Sequence, residues 1–428
     1  MSARSSKNRV RRRARVALLA GGVMAALSFG ALNAGSAAAA PACTGNNITG
    51  NGASLQKVAQ QNVWAPKFAS TICNKGTLPT VTYTSTSSGT GMSQWGFSTG
   101  TGPINTSVAF VGTDEAPSVA QIANIKSAAG GGAKLAVIPV TQTAISIVAN
   151  PPAGCSIEEI SNGNLTAVFE GRFLKWSDIQ TAEGEGCNSP ITRVVRETTS
   201  GTTYQFKNYL YQTNKKTLAC TGAEKQTWLQ LGQAIPNTVW PLSCEEKTLS
   251  PLINTGTNGG SAVVNKVDAT EGSIGYAALP DAVLNRDPGT EILSLQNNGL
   301  GSAFEGTYVS PIAGNTANCE TMTYKTPANV NTGLDLDWSG VFGAKPAIGG
   351  SGYPLCALTY VLAFNGYGAA GFEAKTATTV RDYVYEYLVQ STGQTDIASN
   401  YYSPLPKTED VRTNILGAAQ KAAIRIAF

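Results

Sequence analysis

The 428-residue chain is 42% hydrophobic and 14% charged, ample for a large core and for more than one domain. It contains no histidine, which excludes Ser-His-Asp and Cys-His catalysis and every histidine-containing metal site. The formal net charge of +4 becomes −3 without the seven basic residues among the first 15, so no basic footprint for nucleic acid remains.

The first 40 residues read as a signal peptide. Arg4 to Arg15 form a basic region, Val16 to Leu32 an apolar one, and Ala37 to Ala42 a small-residue cleavage zone, with the cut near Ala40. Eight cysteines in an exported chain suggest disulfides, and pairing by neighbours gives 43–73, 155–187, 220–244 and 319–356. Lipidation of Cys43 is the competing role, although Pro41 makes a poor lipoprotein box.

In chain order, Leu55 to Ala69 has helical spacing, Val81 to Thr84 reads as a strand, and Met92 to Trp95 starts a helix. Val108 to Val111 is a strand, and Leu135 to Val148 reads as two buried strands split around Pro139. Ile157 to Phe169 reads as helical, Ile191 to Val195 as a strand, Gly259 to Val267 as helical, and Ser273 to Tyr276 as a short strand. Residues 283 to 350 read as loops, Leu358 to Phe364 as a strand, and Thr376 to Val389 and Thr408 to Ala423 as helices. Strands alternate with helices, which makes the fold class α/β.

The stretch Arg196 to Tyr204 lies between a strand and a helix. A helix start presents free N–H groups and favours negative charge. Ser200, Thr202 and Thr203 add hydroxyls, Gly201 permits close approach, and Arg196 supplies a positive fork. Two other small polar loops, at Ser54 and at Ser88-Gly89, also precede helices. Each of the three reads equally as an ordinary capped helix. Together with Asp114 they describe an anion site in which the carboxylate accepts a proton that phosphate carries and sulfate lacks. Alone, Asp114 also reads as a turn residue before Ala116-Pro117.

The ordered motifs resemble those of the phosphate-binding protein of bacterial phosphate ABC transporters. They are Gly52-Ala53-Ser54-Leu55, Ser87-Ser88-Gly89, Phe110 to Pro117, Val168 to Trp176, Val195 to Thr203, Gly272 to Tyr276 and Tyr402 to Pro406. The resemblance implies a two-domain periplasmic-binding-protein fold (type II) with the ligand in a hinged cleft. Domain I would span residues 44–149 plus 361–428, and domain II 150–360. It further implies that Ser54, Ser88, Ser200 and Thr202 donate through hydroxyls and nearby amides, and Leu55 and Gly201 through backbone N–H. Arg196 would supply charge and Asp114 would accept the ligand proton. Leu55 stands where the family has phenylalanine, Glu115 is an extra residue, and Thr198 replaces an aspartate that orients the arginine.

The implied function is an exported monomer that binds inorganic phosphate for delivery to a transporter permease, without cofactor, metal or nucleic acid. The alternatives are a freely secreted phosphate-binding or sensing protein, a scaffold with a degenerate site, and an enzyme acting on phosphate esters. The last lacks a visible base beside Ser200.

Overall fold

The computed structural model describes residues 41–73, 79–98, 100, 103–213, 238–240, 250–297, 307–319, 322–342 and 351–428. The expected signal peptide and the expected 220–244 disulfide lie outside these residues. Strands and helices alternate along the chain, as the class α/β requires.

Three parallel strands open the fold: β1 (Ile48–Gly52), β2 (Val81–Ser85) and β3 (Phe110–Thr113). A helical segment over 54–72 follows β1, with wide π turns at Ala59–Trp64 and Phe68–Ile72. Helix α1 (Ser88–Ser93) follows β2, and α2 (Val119–Ala128) follows β3. Helix α1 begins at Ser88, earlier than the spacing of Met92 to Trp95 predicts. The Ser87 hydroxyl accepts from the Thr90 N–H and starts the helix, overriding the glycines behind it. Strand β3 begins two residues later than expected.

The apolar run around Pro139 is one strand, β4 (Lys134–Asn150), not two. Its partner, β13 (Cys356–Asn365), shifts register between Thr359 and Tyr360, opposite Pro139. This bulge absorbs the missing proline N–H, so pairing resumes instead of breaking. The Val140 carbonyl, freed at the bulge, accepts from Gln394 Nε2 at 2.8 Å.

Residues 134–144 of β4 pair with β13, while residues 145–150 pair with β8 (Ser273–Ala278). Strand β9 (Glu291–Gln296) also pairs with this second half of β4. The chain thus runs continuously from one strand group into another, in the order β2-β1-β3-β13-β4-β8-β6-β7, where β6 is Thr192–Val195 and β7 is Leu252–Asn254.

Other expectations shift locally. The expected helix from Ile157 begins only at α3 (Asn162–Phe169), because β5 (Glu159–Ile160) pairs with β9 and Ser161 then caps the helix. Residues 283–350 include β9 and the two-residue strands β10 (Tyr308–Val309), β11 (Ile312–Ala313) and β12 (Thr316–Ala317), which sequence alone does not reveal. A helix at Ser391–Ala398 is likewise unforeseen, and the last helix covers only Ile415–Ala423. There the Asn414 side chain accepts from the Gly417 N–H and sets the start. The helix α4 (Gly201–Thr213) packs Phe206 against Phe169 and Tyr276, with ring centroids 4.7 and 4.5 Å apart.

Three expected disulfides are present: Cys43–Cys73, Cys155–Cys187 and Cys319–Cys356. Among the described residues, no helix is long and apolar enough to cross a membrane.

Candidate functional site

Parallel strands in register release their following loops at one edge. Gly52 pairs with Ser85 on β2 and with Gly112 on β3, so the loops carrying Ser54, Ser88 and Asp114 emerge side by side. The approach is tight at Gly52, where φ is +140° and an added Cβ would lie 2.0 Å from the Gly112 carbonyl oxygen. From the other strand group, β6 delivers Arg196 to the same place, and α4 begins five residues further on.

The site is built across these two groups. Arg196 Nη1 donates to Ser54 Oγ at 3.2 Å, and Thr202 Oγ1 to Asp114 Oδ2 at 3.4 Å. Gly201 seats against the opposite wall, where an added Cβ would lie 2.4 Å from Ser88 Oγ and 2.7 Å from Asp114 Cβ. Ser88 Oγ accepts from the Asp114 N–H at 2.9 Å. Outside this contact, Ser87 and Thr199 hydroxyls meet at 3.1 Å.

All eight residues singled out by sequence are buried. Arg196 touches Ser54, while Ser88, Gly201 and Thr202 gather on Asp114, and the charges of Arg196 and Asp114 act on each other. Ser200 and Leu55 join by chain adjacency. The Ser200 N–H is committed to the Thr238 carbonyl at 2.7 Å, and its Oγ caps α4 by accepting from the Thr203 N–H. Its hydroxyl proton is what it can offer a ligand. Leu55 places its carbonyl on the Tyr402 hydroxyl, 2.7 Å away.

The structure adds partners that sequence reasoning missed. Thr359 Oγ1, on β13, donates to Asp114 Oδ1 at 2.8 Å, and Gln56 Nε2 holds Thr359 Oγ1 at 2.7 Å. Gln205 Nε2 donates to the Asp114 carbonyl at 2.5 Å. A lone threonine inside the apolar run of β13 was the available signal. The extra residue Glu115 does not displace Asp114: its N–H and carbonyl close a small turn on the Thr113 hydroxyl, and Asp114 stays inward.

Electrostatics follow from burial. The Asp114 carboxyl is pushed up to about 7 by desolvation, opposed by the Thr359 hydrogen bond, Arg196 and Thr202. Glu115 is also pushed up to about 7 by burial, against the pull of Lys207. Burial draws Arg196 below its ordinary range, while Tyr276, Asp281 and Asp114 hold it up. Its Nε and Nη2 make no hydrogen bond within the protein. The result is one buried cation, one buried acceptor and a ring of hydroxyl donors, a set that matches a protonated tetrahedral oxyanion. Among the described residues, no group of three acidic or cysteine side chains could hold a metal.

Comparison with known proteins agrees with this architecture. The chain is 29% identical over 311 residues to a "Phosphate-binding protein" from an unknown prokaryotic organism, covering 69% of this chain and 76% of the relative. It is 24% identical over 386 residues to "Alkaline phosphatase L" of Pseudomonas aeruginosa, covering 88% and 90%. Among solved structures, a high-affinity periplasmic phosphate-binding protein bound with phosphate superposes with TM-score 0.59 at 23% identity, over 89% of this chain and 93% of the other. A phosphate-binding protein from Stenotrophomonas maltophilia superposes with TM-score 0.58 at 18% identity, over 88% and 93%. These superpositions establish a shared fold. The family model described as the PBP superfamily domain matches residues 37–386, most of the molecule, and the chain therefore belongs to the PBP superfamily.

Proposed function

We propose that this protein is an exported solute-binding protein that holds inorganic phosphate between two lobes and passes it, as a monomer, to the permease of an ABC transporter. The observation that carries the reading is that a buried Arg196, bonded to Ser54, and a buried Asp114, bonded to Thr202, act on each other's charge. A cation alone would take any oxyanion. A carboxylate beside it requires a ligand that brings its own proton. The similarity to a curated phosphate-binding protein supports the same ligand.

In this reading Ser54, Ser88, Ser200 and Thr202 donate hydroxyls, and Leu55 and Gly201 donate backbone N–H. Arg196 neutralises charge, and Asp114 accepts the phosphate proton. The lobes comprise residues 44–149 plus 361–428 and residues 150–360, joined through β4 and β13. Strand β13, which carries the return crossing near Val361, pairs along its whole length with residues 134–144 of β4. Ligand contacts from both lobes would favour the closed form. Hydrolysis is not part of the proposal, because Ser200 Oγ is engaged as a helix cap and the described contacts give it no basic side chain.

The test is calorimetric titration of the anion-stripped protein with phosphate and then with sulfate. Phosphate binding without a sulfate response is expected. Equal response to both would remove Asp114 from its role, and silence to both would remove the phosphate reading.

A further inference from the structure

Asp114 ends a buried chain of side-chain hydrogen bonds that starts in the helix Ala374–Tyr383. The Tyr383 hydroxyl donates to Gln60 Oε1 at 2.7 Å, and Gln60 Nε2 donates to Gln56 Oε1 at 3.0 Å. Gln56 Nε2 donates to Thr359 Oγ1 at 2.7 Å, and Thr359 Oγ1 to Asp114 Oδ1 at 2.8 Å. All five residues are at most 1% exposed, so bulk water does not reach the chain. Gln56 and Gln60 stand four residues apart on one helical segment, the spacing that brings side chains together. Thr359 comes from β13, and Asp114 from the loop after β3.

One backbone atom sets the direction of the whole chain. Gln56 Nε2 also donates to the Tyr360 carbonyl at 2.7 Å. That carbonyl can only accept, and the partner of Tyr360 on β4 is Pro139, which has no N–H to offer. The Gln56 amide must therefore turn its nitrogen toward Tyr360 and Thr359, and its oxygen toward Gln60. Gln60 then presents its nitrogen to Gln56 and its oxygen to Tyr383. Burial keeps the proton on the Tyr383 phenol, so the first donor of the chain stays a donor. At the other end Thr359 accepts from Gln56, and its single proton goes to Asp114 Oδ1 in preference to the Thr113 carbonyl, which is 3.3 Å away.

We infer that Tyr383, Gln60, Gln56 and Thr359 are positioning residues for anion selectivity: they hold Asp114 Oδ1 as a committed acceptor and leave Oδ2 to take the proton of the bound oxyanion. The inference rests on the phosphate reading for its ligand but not for the chain itself. It deepens that reading, because a buried carboxyl discriminates only while it is ionised. Protonated, Asp114 would become a donor and would receive sulfate as readily as phosphate. Burial pushes the carboxyl up to about 7, toward that form, and the Thr359 hydrogen bond is the strongest influence against it, ahead of Arg196 and Thr202. Among the other groups whose charge reaches this carboxyl, Asp281 favours the protonated form, and Tyr83, Tyr360 and Tyr402 stay neutral through burial.

Two measurements test this. The first needs no ligand: NMR titration of the carboxyl carbons in anion-stripped protein, with the Asp114 signal assigned by its loss in Asp114→Asn. Thr359→Val keeps the shape and removes the donor, and should move the Asp114 titration upward by about one pH unit or more, with Thr359→Ser restoring it. Tyr383→Phe keeps the ring against Phe68 and Phe110 and should move the titration the same way by less. An unmoved titration in Thr359→Val overturns the inference whatever the ligand proves to be, and an unmoved one in Tyr383→Phe overturns the chain as a unit. The second is calorimetric titration of wild type, Thr359→Val and Thr359→Ser with phosphate and with sulfate. Thr359→Val should narrow the phosphate-to-sulfate affinity ratio about ten-fold or more, and Thr359→Ser should keep it. A ratio unchanged in Thr359→Val, beside a wild type that prefers phosphate, overturns the inference and leaves the phosphate reading intact. A wild type that binds neither anion removes the phosphate reading, and the NMR titration then decides the chain by itself. Should Thr359→Val fail to fold, Thr359→Ala takes its place in both.

Discussion

At the scale of the residue, Asp114 carries two consequences. Its carboxylate is fastened by Thr359 and Thr202 from different strand groups, so it is an oriented acceptor and not a solvated turn residue. Asp114→Asn replaces an acceptor oxygen with a donor and should narrow the preference for phosphate over sulfate by about 1–3 kcal/mol, measured by titration with both anions. The second consequence concerns pH. Burial raises Asp114 from 3.8 to about 7, Glu115 to about 7 and Asp281 to about 6. Each therefore binds its proton more tightly folded than unfolded. The stability they contribute is present below the ordinary carboxylate range and is lost as pH rises through about 6 to 7. In anion-free protein the melting temperature should fall between about pH 5 and about pH 8, and Asp114→Asn should flatten part of that slope. A slope unchanged in the variant would mean that Asp114 titrates as an ordinary carboxylate.

At the scale of the element, the start of α4 does two jobs. Ser200 caps it, and Gly201 lets it seat against Ser88 and Asp114. A methyl group there would meet atoms at 2.4 and 2.7 Å, distances that force one wall to retreat. Gly201→Ala should thus weaken ligand binding by about 1–3 kcal/mol as an overpacking change, with a smaller effect on the melting temperature of ligand-free protein. Comparing affinity with melting temperature checks this. An equal loss in both would make Gly201 a packing residue only. The bulge opposite Pro139 works at the same scale. It keeps β4 continuous, so the two strand groups share one 17-residue strand.

At the scale of the whole molecule, ties between distant segments hold the site edges in place. Cys319–Cys356 anchors the start of β13, three residues before Thr359, and Cys43–Cys73 closes the first helical segment that carries Ser54 and Leu55. Replacing Cys319 and Cys356 together by serine should lower stability by about 2–4 kcal/mol in denaturant unfolding. It should also weaken phosphate binding, because Thr359 then orients Asp114 from a looser strand. Lost stability with retained affinity would separate the tie from the site.

Local pattern was sufficient for much of this. Helix caps, small polar loops and strand-like runs lie within a few residues of one another, and seven of the eight candidate residues were legible as loop chemistry, Leu55 being named only through the family resemblance. Neighbouring cysteines paired as spacing suggested for the three described disulfides. What the chain alone could not reveal depends on separation. Thr359 is 245 residues from Asp114, and the register that joins them exists only once β3 and β13 pair. Asp281 stands out only in the fold, where the helix Gly260–Asp268 closes over it. The break expected at Pro139 failed for the same reason, because the bulge that accommodates it includes a register shift on β13. Residue chemistry and short-range order were thus determined by the sequence. The partner of each buried charge was decided by tertiary structure, since a charge removed from water is defined by whatever the fold brings against it.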